Sequence, residues 1–297
     1  MRYLVTGGTG FIGRALCVEL LRGGHQVVVL TRSVAAARRW LPAGAEAVEE
    51  LAALDGADAV VNLAGESVVG GRWSVARKQA LLGSRIGTTA ALLRWIERLP
   101  RRPQVLVSGS AIGYYGAHGD EALDEQAPAG GDFAARLCVA WEAAALEAAA
   151  LGLRVCLVRI GVVLGRGGGA LAGMIAPFRL GLGGPMGDGR QWMSWVHRAD
   201  LVSLLCRLAE DPATSGVYNG TAPQPVTNGV FSRSLGRALG RPAFLVTPAF
   251  VLRLLFGEMA ELFLTGQNVV PARATAAGFR FRYPDLDSAL REVLAPA

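Results

Sequence analysis

Short aliphatic, β-branched runs alternate along the chain with longer stretches whose apolar positions recur at helical spacing. Arg2–Thr6, Gln26–Leu30, Ala59–Leu63, Gln104–Ser108 and Arg154–Val158 read as strands. Between them, Phe11–Arg22, Ser74–Leu99 and the alanine-rich Phe133–Ala150 read as helices. Strands that are apolar throughout and separated by helices define βαβ units and a parallel sheet covered on both faces. Since such crossovers are right-handed, the economical architecture is α/β, a Rossmann-type doubly wound sheet.

The regularity drops after Gly161. Gly165–Gly169 and Gly181–Gly189 are glycine-rich, and Pro177, Pro185, Pro223 and Pro225 punctuate the same region. A helix over Ala199–Glu210 and a strand over Gly216–Asn219 are expected to return to the main sheet, and the tail from Pro242 carries two or three helices. The expected division is a Rossmann domain over residues 1–162, joined again by 196–222. A smaller substrate and C-terminal lobe takes 163–195 and 223–297. A length of 297 residues suits such a major and minor lobe.

Charge and cysteine content narrow the function classes. The chain carries 30 basic residues and a net charge of +6, yet Lys78 is its only lysine and the arginines are dispersed. No run resembles a nucleic-acid arm, so nucleic acid is not the expected partner. Cys17, Cys138, Cys156 and Cys206 form no Cys-x-x-Cys pair, and with only His25, His118 and His197 there is no metal-ligand spacing. Free thiols fit a reducing cytoplasm. No charged and apolar leader pattern precedes the first strand, so a cytoplasmic location is expected. The apolar stretch Phe250–Leu264 is interrupted by Arg253, Glu258 and Glu261, which argues against a membrane span.

The sharpest local signal is Thr6-Gly7-Gly8-Thr9-Gly10-Phe11-Ile12-Gly13, which follows a strand and opens a helix. In that context Gly7 permits the tight turn, Gly10 admits the backbone to a pyrophosphate and Gly13 lets the helix sit close to the sheet. The free amides and positive end of the helix then hold phosphates. The second strand ends Leu30-Thr31-Arg32-Ser33, without the acid that accepts from an NAD ribose. Arg32 is instead suited to a 2′-phosphate, with Arg14 and Arg38 near in sequence, so NADP(H) is the expected cofactor.

These residues resemble an extended short-chain dehydrogenase/reductase. The marks are the glycine turn at 6–13, Asn62-Leu63-Ala64-Gly65, Ser108-Gly-Ser-Ala-Ile-Gly-Tyr-Tyr-Gly116 and Trp195-Val-His-Arg-Ala-Asp200. More narrowly, the chain resembles an atypical, epimerase-like subgroup of the NAD-dependent epimerase/dehydratase family with a distinctive C-terminal helical segment. Trp141-Glu142, Gly161-Val-Val-Leu-Gly165, Gly189-Arg-Gln-Trp-Met-Ser-Trp195 and Gly266-Gln-Asn-Val-Val-Pro271 carry that narrower likeness. The resemblance spans essentially the whole chain and implies that Asn62, Leu63, Ala64, Ser108 and Ile160 line the cofactor, and that Ser110 stands beside the nicotinamide.

The superfamily's Tyr-x-x-x-Lys pair is absent. None of Tyr3, Tyr114, Tyr115, Tyr218 and Tyr283 has a lysine four residues on, and setting Glu142 on the family's glutamate puts Ala134 and Cys138 at the two positions. Ser110, Tyr114 and Tyr115 are therefore the catalytic candidates. A phenol, with a free pKa of roughly 10, needs a neighbouring cation, for which Arg136 and Lys78 are available. The two tyrosines read equally well as an aromatic wall. Glu66, Gln191 and His197 are candidate substrate residues, although Glu66 is as readily a solvated acid. Ser84-Arg85 reaches either a ligand phosphate or carboxylate or a surface salt bridge.

The expected activity is redox or epimerisation chemistry on a small polar, sugar-like or carbonyl substrate, with a homodimer built through the two long helices. The alternative is an NADP(H)-dependent sensor or scaffold without turnover. A pocket shared by Tyr115, Glu66, Gln191 and His197 favours the enzyme, and one sealed by Trp141, Trp192 and Met186 favours the sensor.

Overall fold

The computed structural model describes residues 1–295. Seven parallel strands form its centre: β1 (Arg2–Thr6), β2 (Gln26–Leu30), β3 (Ala45–Val48), β4 (Ala59–Asn62), β5 (Val105–Ala111), β7 (Arg154–Ile160) and β11 (Gly216–Gly220). Their order across the sheet is β11-β7-β5-β4-β1-β2-β3, the doubly wound α/β arrangement. Six shorter strands complete the set: β6 (Ala122–Leu123), β8 (Val162–Leu164), β9 (Trp192–Met193), β10 (Trp195–His197), β12 (Val226–Thr227) and β13 (Asn268–Val269). They pair as β8 with β10, β9 with β12 and β6 with β13.

Strand periodicity divides the core into two layers. Val5, Val29, Val61 and Val107 face α1 (Phe11–Arg22) and α7 (Arg198–Glu210), burying Leu16, Leu20, Leu201 and Leu205. The intervening Leu4, Val28, Val60 and Leu106 meet Leu92 and Ile96 of α4 (Thr88–Arg98) and Ala145 of α5 (Phe133–Leu146). A separate core around Trp195, Phe231 and Leu290 joins α6 (Gly169–Arg179), α8 (Asn228–Leu239) and α12 (Leu286–Leu294). Among the described residues no helix is long and apolar enough to cross a membrane.

Several elements differ from the sequence expectation. The helix expected over 74–99 consists of α3 (Val75–Leu82), a π-helical turn at Gly83–Gly87 and α4. Glycine is a poor helix former, and the bulge brings the Arg85 guanidinium onto the carbonyl of Leu81. The Ala-rich helix leaves α-geometry after Leu146, and its last turn, Glu147–Leu151, is 3-10 before Gly152 at φ 86°. The edge strand β3 escapes notice because Glu46 interrupts its short apolar run. Among the described residues, the tail beyond residue 242 holds four α-helices rather than two or three helices: α9 (Ala249–Phe256), α10 (Glu261–Leu264), α11 (Ala272–Ala276) and α12.

Candidate functional site

The turn between β1 and α1 has little space for side chains. Gly7 has φ +69°, and a Cβ there would lie 2.5 Å from the carbonyl oxygen of Leu63. A Cβ on Gly13 would collide with the carbonyl oxygen of Gly7. The Gly10 amide donates to Gly7 O at 2.9 Å, and no side chain caps α1. Phe11 packs against Gly168 and Gly169 of the smaller lobe and lies under the guanidinium of Arg198, 4.6 Å from Cζ to ring centroid. Thr9 and Ile12 flank Gly10–Phe11 within the same turn. The uncapped amides and close backbone approach fit a bound pyrophosphate.

Next to this turn, Thr6 Oγ1 donates to Asn62 Oδ1 at 2.6 Å and accepts from the Ala64 amide at 3.1 Å. Asn62 Nδ2 donates to Thr89 Oγ1 at 2.9 Å. Asn62 is thus a buried tie between β1, β4 and α4, and it fixes the path of Leu63 and Ala64 past Gly7. After β2, Arg32 is exposed, while Arg14 stacks on Trp40 at 4.8 Å. Burial, with a further contribution from the like charge of Arg14, pushes the Arg198 pKa down. Glu49, which sequence reading missed, accepts from the Val34 amide at 2.8 Å at the start of the short helix α2 (Val34–Ala37).

The carboxyl end of β5 carries a buried polar network. Ser110 Oγ donates to Glu142 Oε1 at 2.7 Å, and Arg159 grips the same carboxylate through Nε and Nη2, both at 2.9 Å. Arg159 Nη1 donates to the Tyr115 hydroxyl at 3.0 Å, and that hydroxyl donates to Asn219 Oδ1 at 2.7 Å. The Asn219 amide in turn donates to Glu125 Oε1 at 3.0 Å. Burial alone would lower the Arg159 pKa, but the hydrogen bonds to Glu142 and Tyr115 outweigh it and raise it. Burial pushes the Tyr115 phenol up, against the opposing pull of Arg159.

Tyr115 is fully buried. Tyr114 is half-buried, and the Arg159 guanidinium lies 3.3 Å from its ring centroid. The cation beside the phenols is therefore Arg159 of β7. Arg136 and Lys78 are engaged elsewhere, with Gly131 O and Glu258 respectively. A charged residue inside the apolar run of β7 was the sequence signal for this buried pair. Ala134 and Cys138 face the loop, since a Cβ on Gly113 would lie 3.3 Å from Ala134 Cβ and 3.9 Å from Cys138 Sγ. Burial pushes the Cys138 thiol up to about 11.

The remaining candidates are dispersed. Ser108 is buried mid-strand with its hydroxyl 3.3 Å from Gly109 O, and Ile160 ends β7 opposite Ala111 and Gly220. Glu66 pairs with Arg77. Gln191 lies in an open cleft of about 670 Å³ with His118, Asp120, Asp188 and Arg190. Its side-chain Nε2 donates to Met186 O and Phe263 O, while Oε1 is buried without a partner. His197 accepts from the Ala199 amide, bonds Glu292 Oε2 through Nε2 at 2.9 Å and stacks on Tyr283. Tyr115, Glu66, Gln191 and His197 thus engage four different sets of partners. Of the residues in the sealing alternative, Trp141 stacks on Arg85, the Trp192 indole donates to Asp120 Oδ1, and Met186 O accepts from Gln191 Nε2.

The parallel sheet, the glycine turn and the network at the end of β5 define a Rossmann-like fold of the short-chain dehydrogenase/reductase type. Residues 3–219 match the NAD dependent epimerase/dehydratase family, and residues 247–293 match a domain of unknown function, DUF1731. The chain belongs to that epimerase/dehydratase family and carries the DUF1731 segment at its C-terminal end. It is 45% identical to the chloroplastic epimerase family protein SDR39U1 homologue of Arabidopsis thaliana, covering 99% of this chain and 87% of the relative. The crystal structure of human epimerase family protein SDR39U1 (isoform 2), which contains NADPH, matches with a TM-score of 0.90 and 41% identity over 99% of both chains. A nucleoside-diphosphate sugar epimerase from Corynebacterium glutamicum matches at TM-score 0.80 and 32% identity, over 99% of this chain and 58% of its own.

Proposed function

We propose that the protein binds NADP(H) and acts as an oxidoreductase or epimerase on a small polar carbonyl or sugar-like substrate without a Tyr-Lys dyad. The observation that carries this reading is the β1–α1 turn, where a Cβ at Gly7 would strike the Leu63 backbone and one at Gly13 the Gly7 carbonyl, so that only glycines let the turn close tightly ahead of the uncapped amides of α1. The NADPH held by the human relative supports the same cofactor. Arg32, with Arg14 and Arg38, is suited to the 2′-phosphate, and no acid stands at Thr31, Arg32 or Ser33. All four cysteines are free, which fits a reducing compartment such as the cytoplasm.

The bound cofactor would supply hydride exchange, leaving the protein to orient the reactants and handle the proton. Ser110 and Tyr114 are the groups we assign to that task. Ser110 is held in one orientation by Glu142 and keeps oxygen lone pairs for a substrate hydroxyl. Tyr114 has Arg159 against its ring face. Tyr115, spent on Asn219 and Arg159, acts as framework.

Calorimetric titration with NADPH, NADP⁺, NADH and NAD⁺, followed by hydride-exchange assays on sugars, aldehydes and ketones, tests the reading. Tight NADPH binding with exchange supports it. No binding of any of the four removes it. Binding without exchange across the panel favours the second reading, a sensor, to which the internal engagement of Ser110 and Tyr115 also speaks.

A further inference from the structure

Residues 243–247 run alongside residues 183–187. The Leu245 amide donates to Gly183 O at 3.2 Å, and the Thr247 amide donates to Pro185 O at 2.9 Å. A Cβ on Gly184 would lie 2.2 Å from Leu245 O, so the two backbones meet with no side chain between them. Leu180 and Leu182, just beyond the end of α6, therefore adjoin Phe244 and Val246. Helix α9 follows directly, with Phe250 and Leu254 one turn apart on the side away from the buried Leu252. These six apolar side chains are each 53–74% exposed. Soluble monomers rarely expose a contiguous apolar patch beyond a few hundred Å², and a larger one marks an interaction site.

The rim of this face is positive. Arg179 and Arg241 stand where the strap begins, with Arg241 Nε donating to Arg179 O at 3.0 Å. Arg72, from the loop after β4, reaches the other end and donates to the carbonyls of Leu254 and Leu255. All three arginines are exposed, and none forms an ion pair among the described residues. Glu258 and Glu261, the acids beyond α9, are already paired with Lys78 and Arg253. A second copy docked on this face would bring a rim of the same sign against it, which is unfavourable. An anionic lipid surface complements both parts, taking phenyl and leucine side chains at the acyl boundary and guanidinium groups among its phosphates.

We propose that this face rests on the surface of anionic phospholipid bilayers, with Phe250 and Leu254 inserted and Arg72, Arg179 and Arg241 against the headgroups. The assignment does not depend on the nucleotide reading above. Sedimentation of the full chain with vesicles of phosphatidylcholine, alone or mixed with phosphatidylglycerol, tests it. Wild type should bind the mixed vesicles, more weakly as salt rises, and bind pure phosphatidylcholine at least about tenfold less. The double variant Phe250→Gln/Leu254→Gln should keep the wild-type Tm and lose about tenfold or more in binding to the mixed vesicles. Arg179→Glu/Arg241→Glu should lose about as much, whereas Arg94→Glu/Arg98→Glu on α4, with the same change in net charge, should stay within about twofold of wild type. Equal loss in the two charge variants overturns the proposal, since net charge alone would then drive binding. So does binding that survives F250Q/L254Q, or a wild-type chain that ignores the mixed vesicles. A chain that ignores vesicles but self-associates through F250 and L254 in sedimentation velocity would assign the face to a second copy.

Discussion

Glu142 and Arg159 form a bidentate pair deep in the protein, with two hydrogen bonds of 2.9 Å and side chains 7% and 4% exposed. Glu142 also orients Ser110, and Arg159 also holds Tyr115 and lies against Tyr114. One ion pair thus connects α5 and β7 to the hydroxyls of Ser110 and Tyr115 and to the ring of Tyr114. Its geometry is bidentate, and the carboxylate has an additional donor, the conditions under which burying two charges is offset.

Removing one partner should therefore be far worse than removing both. Arg159→Met leaves a buried carboxylate unpaired and should cost about 3–5 kcal/mol in chemical denaturation, with Glu142→Leu similar. The double variant should lose clearly less than the two single losses added together. Additive losses would show that the charges do not act as a pair.

The glycine turn gives a second expectation. Gly13→Ala places a methyl group against the Gly7 carbonyl, and Gly7→Ala adds a positive-φ strain to a contact with Leu63. Both should lower Tm, and both should weaken NADPH more than tenfold, by about 1.4 kcal/mol or more, because the amides facing the phosphates would be displaced. A variant with wild-type affinity would show that the turn does not hold the cofactor.

The turn was legible because its chemistry is local, with eight consecutive residues between a strand and a helix. The five main strands recognised from their apolar runs were legible for the same reason. The Ser110–Glu142–Arg159–Tyr115–Asn219 network was not, because its members come from β5, α5, β7, the loop after β5 and β11, and only packing brings them together. Arg85 was visible as a charge, but its burial depends on a π-helical turn that no periodicity signals. His197 read as a pocket residue because its contacts with Glu292 and Tyr283 span nearly a hundred positions of sequence.

Cofactor choice should follow Arg32. Arg32→Glu puts a carboxylate where a 2′-phosphate is expected and should raise the NADPH dissociation constant by about tenfold or more. NADH binding should be unchanged or improved, because the new acid accepts from a free ribose hydroxyl. Titration of both nucleotides checks this, and equal weakening would place the 2′-phosphate elsewhere.

Hydride exchange, once a substrate is found, separates the three hydroxyls. Ser110→Ala and Tyr114→Phe should each lower kcat about 10²- to 10⁴-fold while leaving NADPH affinity within about twofold, the range expected for a group that handles the proton. Tyr115→Phe should act mainly on stability, since its hydroxyl serves Asn219 and Arg159. Undiminished turnover in both S110A and Y114F would remove this loop from the chemistry.

The C-terminal helix should make the fold sensitive to mild acid through His197. Burial holds this imidazole below its ordinary 6.5, although the hydrogen bond to Glu292 pulls the other way. Nδ1 accepts the Ala199 amide, so the neutral form protonated on Nε2 satisfies both partners. Because the folded pKa is depressed, the unfolded chain binds the proton more readily. Stability from this group is complete above about pH 6.5 and declines as pH falls through that value toward the folded pKa. Denaturation midpoints between pH 8 and 5 should therefore fall on the acid side, and His197→Gln should flatten that fall while lowering stability at pH 8 by about 1 kcal/mol through the lost helix cap and hydrogen bond to Glu292. A slope below pH 6.5 that survives in H197Q would assign the acid sensitivity to another group.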